Sequence, residues 1–174
     1  MLIRLNALSQ DSISKAIARI DKIQLQIIEK NGKYVKKLAK TGIEEAGAHL
    51  NTFKGDSEPP TLESTTPHVK VDSDGNMYAD ITIRGEDVAF VEFGAGIRYN
   101  TEAGTSPHPQ GVELGYTIGS YGHGHGAERQ WSYVDENGVE VVSYGTEAAM
   151  PLAHAKARVE QTYADIAAST FKGR

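Results

Sequence analysis

An α+β fold follows from three features of the chain. Apolar residues recur with a helical period through the first third, two short alternating runs fold back around Asp/Asn-Gly turns, and a second helical period closes the sequence. The predicted order is a long N-terminal helix, a hairpin, a short central helix, a long loop, a second hairpin and a C-terminal helix. Together they make one domain over residues 1–174, with a small antiparallel sheet built from the hairpins. Its 174 residues, 39% hydrophobic and 24% charged, have the make-up of one ordinary globular domain and exclude collagen-like or wholly disordered classes. No apolar run approaches the roughly eighteen residues needed to cross a bilayer. The start, MLIRLNALSQ, lacks the apolar core and cleavage site of a signal peptide, so the expected location is the cytoplasm or a particle assembled there. The absence of cysteine removes disulfides and thiolate metal sites and leaves burial to stabilise the fold.

The first element is the most informative. After a short mixed segment, 1–7, Ser9 or Asp11 suits an N-cap. Ile13, Ile17, Ile20, Ile27, Tyr34 and Leu38 then recur in steps of four and three, with Gln24 and Asn31 in the remaining heptad places. Helix is predicted over 9–50, interrupted in composition by Asn31-Gly32 and Thr41-Gly42, where glycine costs about 1 kcal/mol relative to alanine. As one rod, this segment extends roughly 60 Å, whereas a compact globule of this length is about 40 Å across. Either the helix folds back at Gly32 or Gly42, or it projects and leaves apolar surface for another chain to cover.

Residues 51–67 are polar and proline-containing, which predicts a linker. The alternating runs 68–71 and 77–84 flank Asp72-Ser73-Asp74-Gly75-Asn76, a hairpin turn. The same five residues resemble the opening of a calcium loop, but position 83, where a bidentate glutamate belongs, is Ile. Glu86 to Phe93 reads as one or two helical turns stopped by Gly94. The stretch 95–127 holds eight glycines, with Tyr99, Tyr116 and Tyr121 among them. So long an aperiodic connection predicts a loop that orders against a neighbour. Residues 130–134 and 139–144 form the second hairpin around Asn137-Gly138. The last helix is expected to begin near Glu147, with Pro151 in its first turn and Leu152, Ala155, Val159, Tyr163 and Ile166 inward.

Charge is divided along the chain. Lys15, Arg19, Lys22, Lys30, Lys33, Lys36, Lys37 and Lys40 face only Asp21 and Glu29, while 44–102 holds twelve acids against four bases. A basic limb and an acidic middle suit head-to-tail association of copies, and simple solvation of a charged face is the alternative.

For catalysis, the constellation to weigh is His123 and His125 with Glu128, which could hold zinc in a metal-dependent enzyme. Histidines so spaced on a glycine-rich loop are poorly fixed, no third or fourth ligand stands at a recognisable spacing, and no nucleophile motif accompanies them. No cofactor is expected. The basic helix lacks interleaved aromatics, leaving at most sequence-blind phosphate attraction to DNA.

The run Ala89-Phe90-Val91-Glu92-Phe93-Gly94-Ala95-Gly96, after a hairpin and a long N-terminal helix, resembles the signature of the tail-completion or neck proteins of tailed bacteriophages, also labelled minor tail or head-tail joining components. Ala149-Met150-Pro151-Leu152 with Ala155 resembles the family's proline-containing start of the last helix. Ala95 stands where threonine is common, and the fuller Pro-Ala-Arg-Pro-Phe run is missing. The resemblance implies a structural virion protein without chemistry. Copies would form a ring, a hexamer by the family's habit, between the head connector or adaptor and the tail terminator or tail tube, around the DNA passage. Glu92, Phe93, Gly94 and Pro151 would then determine the fold. Lys22, Lys30, Lys33, Lys37, Arg98, Tyr99, Tyr116 and Tyr121 would contact neighbours. A tail terminator or a head-tail adaptor of the same particle is the nearby alternative.

Overall fold

The computed structural model describes residues 9–63, 65–120 and 124–172; the segment 1–7 lies outside the described residues. Helix α1, Gln10–Leu50, runs 41 residues without a break. Ser9 caps it, its hydroxyl accepting the Ser12 amide at 3.3 Å, and the Asn51 amide closes it on the Gly47 carbonyl. Ion pairs Asp11–Lys15 and Glu29–Lys33 support the exposed side at i, i+4 spacing.

The fold-back at Gly32 or Gly42 is therefore excluded. Gly42 serves close packing instead: a Cβ there would lie 2.4 Å from Ile81 Cδ1 and 3.3 Å from Val159 Cγ2. The side chain that is missing lets two other elements approach the helix.

Four short strands follow: β1 Thr61–Leu62, β2 Lys70–Val71, β3 Met77–Tyr78 and β4 Ile83–Arg84. Then come helix α2, Val88–Phe93, the ribbon strands β5, Trp131–Val134, and β6, Glu140–Ser143, and helix α3, Pro151–Phe171. The class is α+β, as the periodicities predict, with the strands in three separate two-stranded antiparallel sheets: β1 with β4, β2 with β3, and β5 with β6. Part of the expected linker 51–67 is strand, with Thr61 opposite Arg84 and Leu62 opposite Ile83. Burial drives that pairing, because Leu62 packs on the core made by Leu50, Ile83, Val91 and Ala149.

The two hairpin turns share one construction. Asp72 Oδ1 accepts the amides of Asp74 and Asn76, and Asp135 Oδ1 those of Asn137 and Val139. Gly75 and Gly138 supply the left-handed backbone at the fourth place. The Asn76 carboxamide and amide hold the Asp72 carboxyl below the usual carboxylate range. The Val139 and Asn137 amides do the same for Asp135. The first carboxylate of the calcium-like segment, that of Asp72, is thus engaged in building a turn.

Helix α3 lies antiparallel on the C-terminal half of α1. The rings of His49 and His154 stack at 3.8 Å at one end. Val159 and Ala155 meet Gly42 in the middle, and Phe171 packs its ring against Tyr34 at the other end, 5.7 Å between centroids. The core sits at the C-terminal end of α1, so residues 10–29 extend about 30 Å beyond the last turn of α3.

Candidate assembly interface

The projecting half of α1 keeps its apolar strip in the open. Ile17, Ile20 and Ile27 are 54%, 50% and 51% exposed, and Ile13, Leu25 and Ile28 are exposed as well. Only Ala16 in this half is buried. By helix geometry, Lys15, Arg19, Lys22, Lys33 and Lys36 lie on the side away from the isoleucines. The lysines therefore lie opposite the isoleucine strip, while Asp21 flanks that strip and the exposed Leu25 lies beside Lys22.

The basic residues expected to meet neighbours have different fates. Lys30 Nζ donates to the Phe171 carbonyl at 3.4 Å and Lys37 Nζ to the Thr170 hydroxyl at 3.1 Å. Both ammonium groups reach the C-terminal turn of α3, where the helix dipole favours a cation. These two lysines bind within the chain. Lys33 pairs with Glu29, and Lys22 is exposed.

The start of α3, the helix that packs on α1, is held by a joint between the two segments that carry the resemblance. Helix α3 begins at Met150 with left-handed backbone (φ 50°, ψ 46°), no side-chain cap of its own, and Pro151 at its first position. Glu92, 5% exposed, provides the missing cap from α2. Its Oε2 accepts the Leu152 amide and its Oε1 the Ala153 amide, each at 3.0 Å. The Val91 carbonyl accepts the amides of Ala149 and Met150. A carboxylate at a helix N-terminus meets both the free amides and the positive end of the dipole.

His108 completes the pocket, its Nε2 3.1 Å from Glu92 Oε1. Its Nδ1 accepts the Gln110 amide at 3.0 Å, so the proton facing Glu92 is on Nε2. Just outside, His154 in the first turn of α3 stacks on His49. Burial, and then the neighbouring His49, push the His154 imidazole below its ordinary value.

Residues 95–120 are held by the chain itself, contrary to the expected partner-ordered loop. Asn100 Nδ2 donates to the carbonyls of Gly96 and Thr146 at 2.9 and 2.7 Å, and its Oδ1 accepts the Ala148 amide at 2.8 Å. Ile118 is fully buried and exchanges backbone bonds with Gly104 and Thr105. Tyr116 stacks on Phe93 at 4.1 Å, so it packs inside instead of reaching for a neighbour. Gly94 (φ 84°, ψ 159°) turns the chain out of α2, with Asn100 and Ala148 where a side chain would go. Arg98 lies over the Tyr144 ring at 4.2 Å and near Tyr99 at 5.6 Å, leaving an exposed cationic and aromatic corner. Tyr121 and His123 lie outside the described residues.

A recess of about 550 Å³ opens beside Trp131, with Asp56, Ser57, Asp87, Phe90 and His125 among its walls. Its polar side chains are engaged within the chain. Ser57 and Thr146 share a hydroxyl bond at 2.6 Å, Asp87 accepts the Glu58 amide, and Asp56 accepts the Tyr144 amide. His125 Nδ1 pairs with Glu128 at 2.9 Å on an exposed turn. Among the described residues, no group of three or more His, Cys, Asp or Glu converges to hold a metal ion, and no helix is long and apolar enough to cross a membrane.

Asn100, His108 and Trp131 escaped the sequence reading. Asn100 and His108 lie in an aperiodic stretch where polar character carries no positional signal, the Pro107 and Pro109 flanking His108 mark only a turn, and Trp131 reads only as one member of a hairpin strand. No family model, curated protein or solved structure matches this chain.

Proposed function

We propose that this chain is a structural component of a tailed-bacteriophage virion. In this reading it is a ring-forming tail-completion or neck protein that joins the tail to the head connector and surrounds the DNA passage. The observation that carries the reading is the projecting half of α1, whose uncovered isoleucines need neighbouring chains in a finished assembly. The joint lends support to the resemblance, because the segment around Glu92 and the segment around Pro151 meet in a single hydrogen-bonded unit. In such a ring the body would supply rigid wedges, the rods would associate, and the outward lysines of α1 would attract phosphate without reading sequence.

The test is imaging of intact particles together with particles assembled without this chain. The expected result is density for this chain between head and tail, and unjoined heads and tails in its absence. Particles that carry no copy at that junction, or that join normally without the chain, overturn the reading.

A further inference from the structure

We infer that residues 13–27 of α1 pair with the same segment of a neighbouring copy as a parallel, in-register coiled coil, with Gln24 meeting its own counterpart. The inference deepens the assembly reading above and rests on its premise that copies associate. It does not depend on where in a particle they do so.

Three observations identify the occupant. Ile13, Ile20, Ile27 and Tyr34 stand at d places of one heptad register, and Ile17, Gln24, Asn31 and Leu38 at a places. A spacing of three and four held from 13 to 38 describes a seam for another helix. The seam is also continuous with one that a helix already fills. Its later part, from Tyr34 to Gly42, lies under α3, whereas Ile13, Ile17, Ile20 and Ile27 before residue 30 are exposed, with only Ala16 buried and Ile23 half-buried on the flank. A rod that is helix-packed along half of its seam presents the same chemistry along the other half.

The composition of the bare half selects a copy of itself and a direction. In a parallel, in-register pair, a places face a places and d places face d places. Isoleucine then meets isoleucine, and the Gln24 carboxamide meets another carboxamide, which can both donate and accept. In an antiparallel pair, a layers face d layers, and every d place in the bare half is isoleucine. Gln24 would then be buried without a partner, which is disfavoured.

The flanks agree with this arrangement. A g place meets the following e place of a parallel partner, which sets Ile23 against Ile28 of the neighbouring copy and widens the apolar seam. Lys15, Lys22 and Glu29 fall at f places and stay in water.

The cysteine-free chain suits disulfide trapping. Single substitutions Ile13→Cys, Gln24→Cys and Ile27→Cys place thiols on the seam, and Lys22→Cys places one on the outer side. On mild oxidation at concentrations from micromolar to millimolar, each seam variant is expected to form same-site dimers at least about tenfold faster than Lys22→Cys, since pairing raises the effective thiol concentration. Seam thiols that react no faster than Lys22→Cys overturn the inference. So does a mixture of the Ile13→Cys and Ile27→Cys chains that yields only the mixed product.

As a check free of cysteine, the Ile17→Asp/Ile20→Asp double variant should sediment at lower mass and unfold with a midpoint that no longer rises with protein concentration, close to that of the dissociated wild-type chain. Wild-type protein that sediments as a monomer throughout this range, or whose rod only binds anionic lipid vesicles, also counts against the pairing. The neck reading fails separately. A chain that forms the same-site disulfides but is missing from the head-tail junction retains the pairing and loses the neck assignment.

Discussion

Glu92 caps a helix to which it does not belong: its Oε2 accepts the Leu152 amide at 3.0 Å, sixty residues further along the chain. The residue preceding that helix, Met150, has no oxygen in its side chain to offer, so α2 supplies the carboxylate. This bond, with its companions to Ala153 and His108, ties the central helix, the long loop and the last helix into one body.

Glu92→Gln is expected to destabilise the protein by about 3 kcal/mol, because one carboxylate oxygen becomes an amide donor that faces another donor in a buried site. Urea unfolding followed by circular dichroism measures the change. A loss below about 1 kcal/mol would mean that the cap contributes little.

Gly145→Ala should cost at least about 3 kcal/mol, combining left-handed backbone strain with a direct clash. Gly145 has φ 80°, and a Cβ there would sit 2.1 Å from the Ala95 carbonyl oxygen. That contact would push apart the bridge between Ala95 and Thr146. Thermal unfolding of the variant reads the effect.

Acid should weaken the fold in two separate windows. The folded His154 imidazole sits below its ordinary value, so the unfolded chain takes up that proton first. The stability associated with neutral His154 is complete above about pH 6.5 and declines as pH falls from there through the lowered folded value. Asp72 and Asp135 are also lowered, and their contribution is present above about pH 4 and lost as pH falls through their folded values. Unfolding midpoints measured against pH should show the upper step vanish in His154→Gln and the lower step shrink in Asp72→Asn.

Leu50→Ala and Ile17→Ser should behave in opposite ways although both replace an aliphatic residue of α1. Leu50 is 8% exposed and belongs to the core, so its truncation should cost about 3 kcal/mol. Ile17 is 54% exposed, and its replacement should change the stability of the dissociated chain by no more than about 0.5 kcal/mol. Chemical unfolding of both variants checks the contrast.

Much of the architecture was legible in local patterns. The isoleucine spacing announced α1, Asp72 with Gly75 and Asp135 with Gly138 announced the two hairpins, and Pro151 with the following apolar period announced α3. The location of the joint was not legible. Glu92 reads in sequence as one acid on a short helix, and His108 as a histidine between prolines. The loop from 95 to 120 looked open because Asn100, which ties the backbone at Gly96 to the backbone at 146–148, resembles any other polar loop residue until those segments are adjacent.

The sequence by itself determined the helices, the two hairpin turns and the apolar seam of α1, since these depend on bond geometry and on residues a few places apart. The tertiary structure alone decided that α3 ends opposite residue 30 and leaves the first half of that seam bare. It also decided that a buried carboxylate from α2 holds the start of α3. Both depend on where distant parts of the chain come to rest, and that placement follows from burial and hydrogen-bond satisfaction summed over the whole fold, which no local window of residues contains.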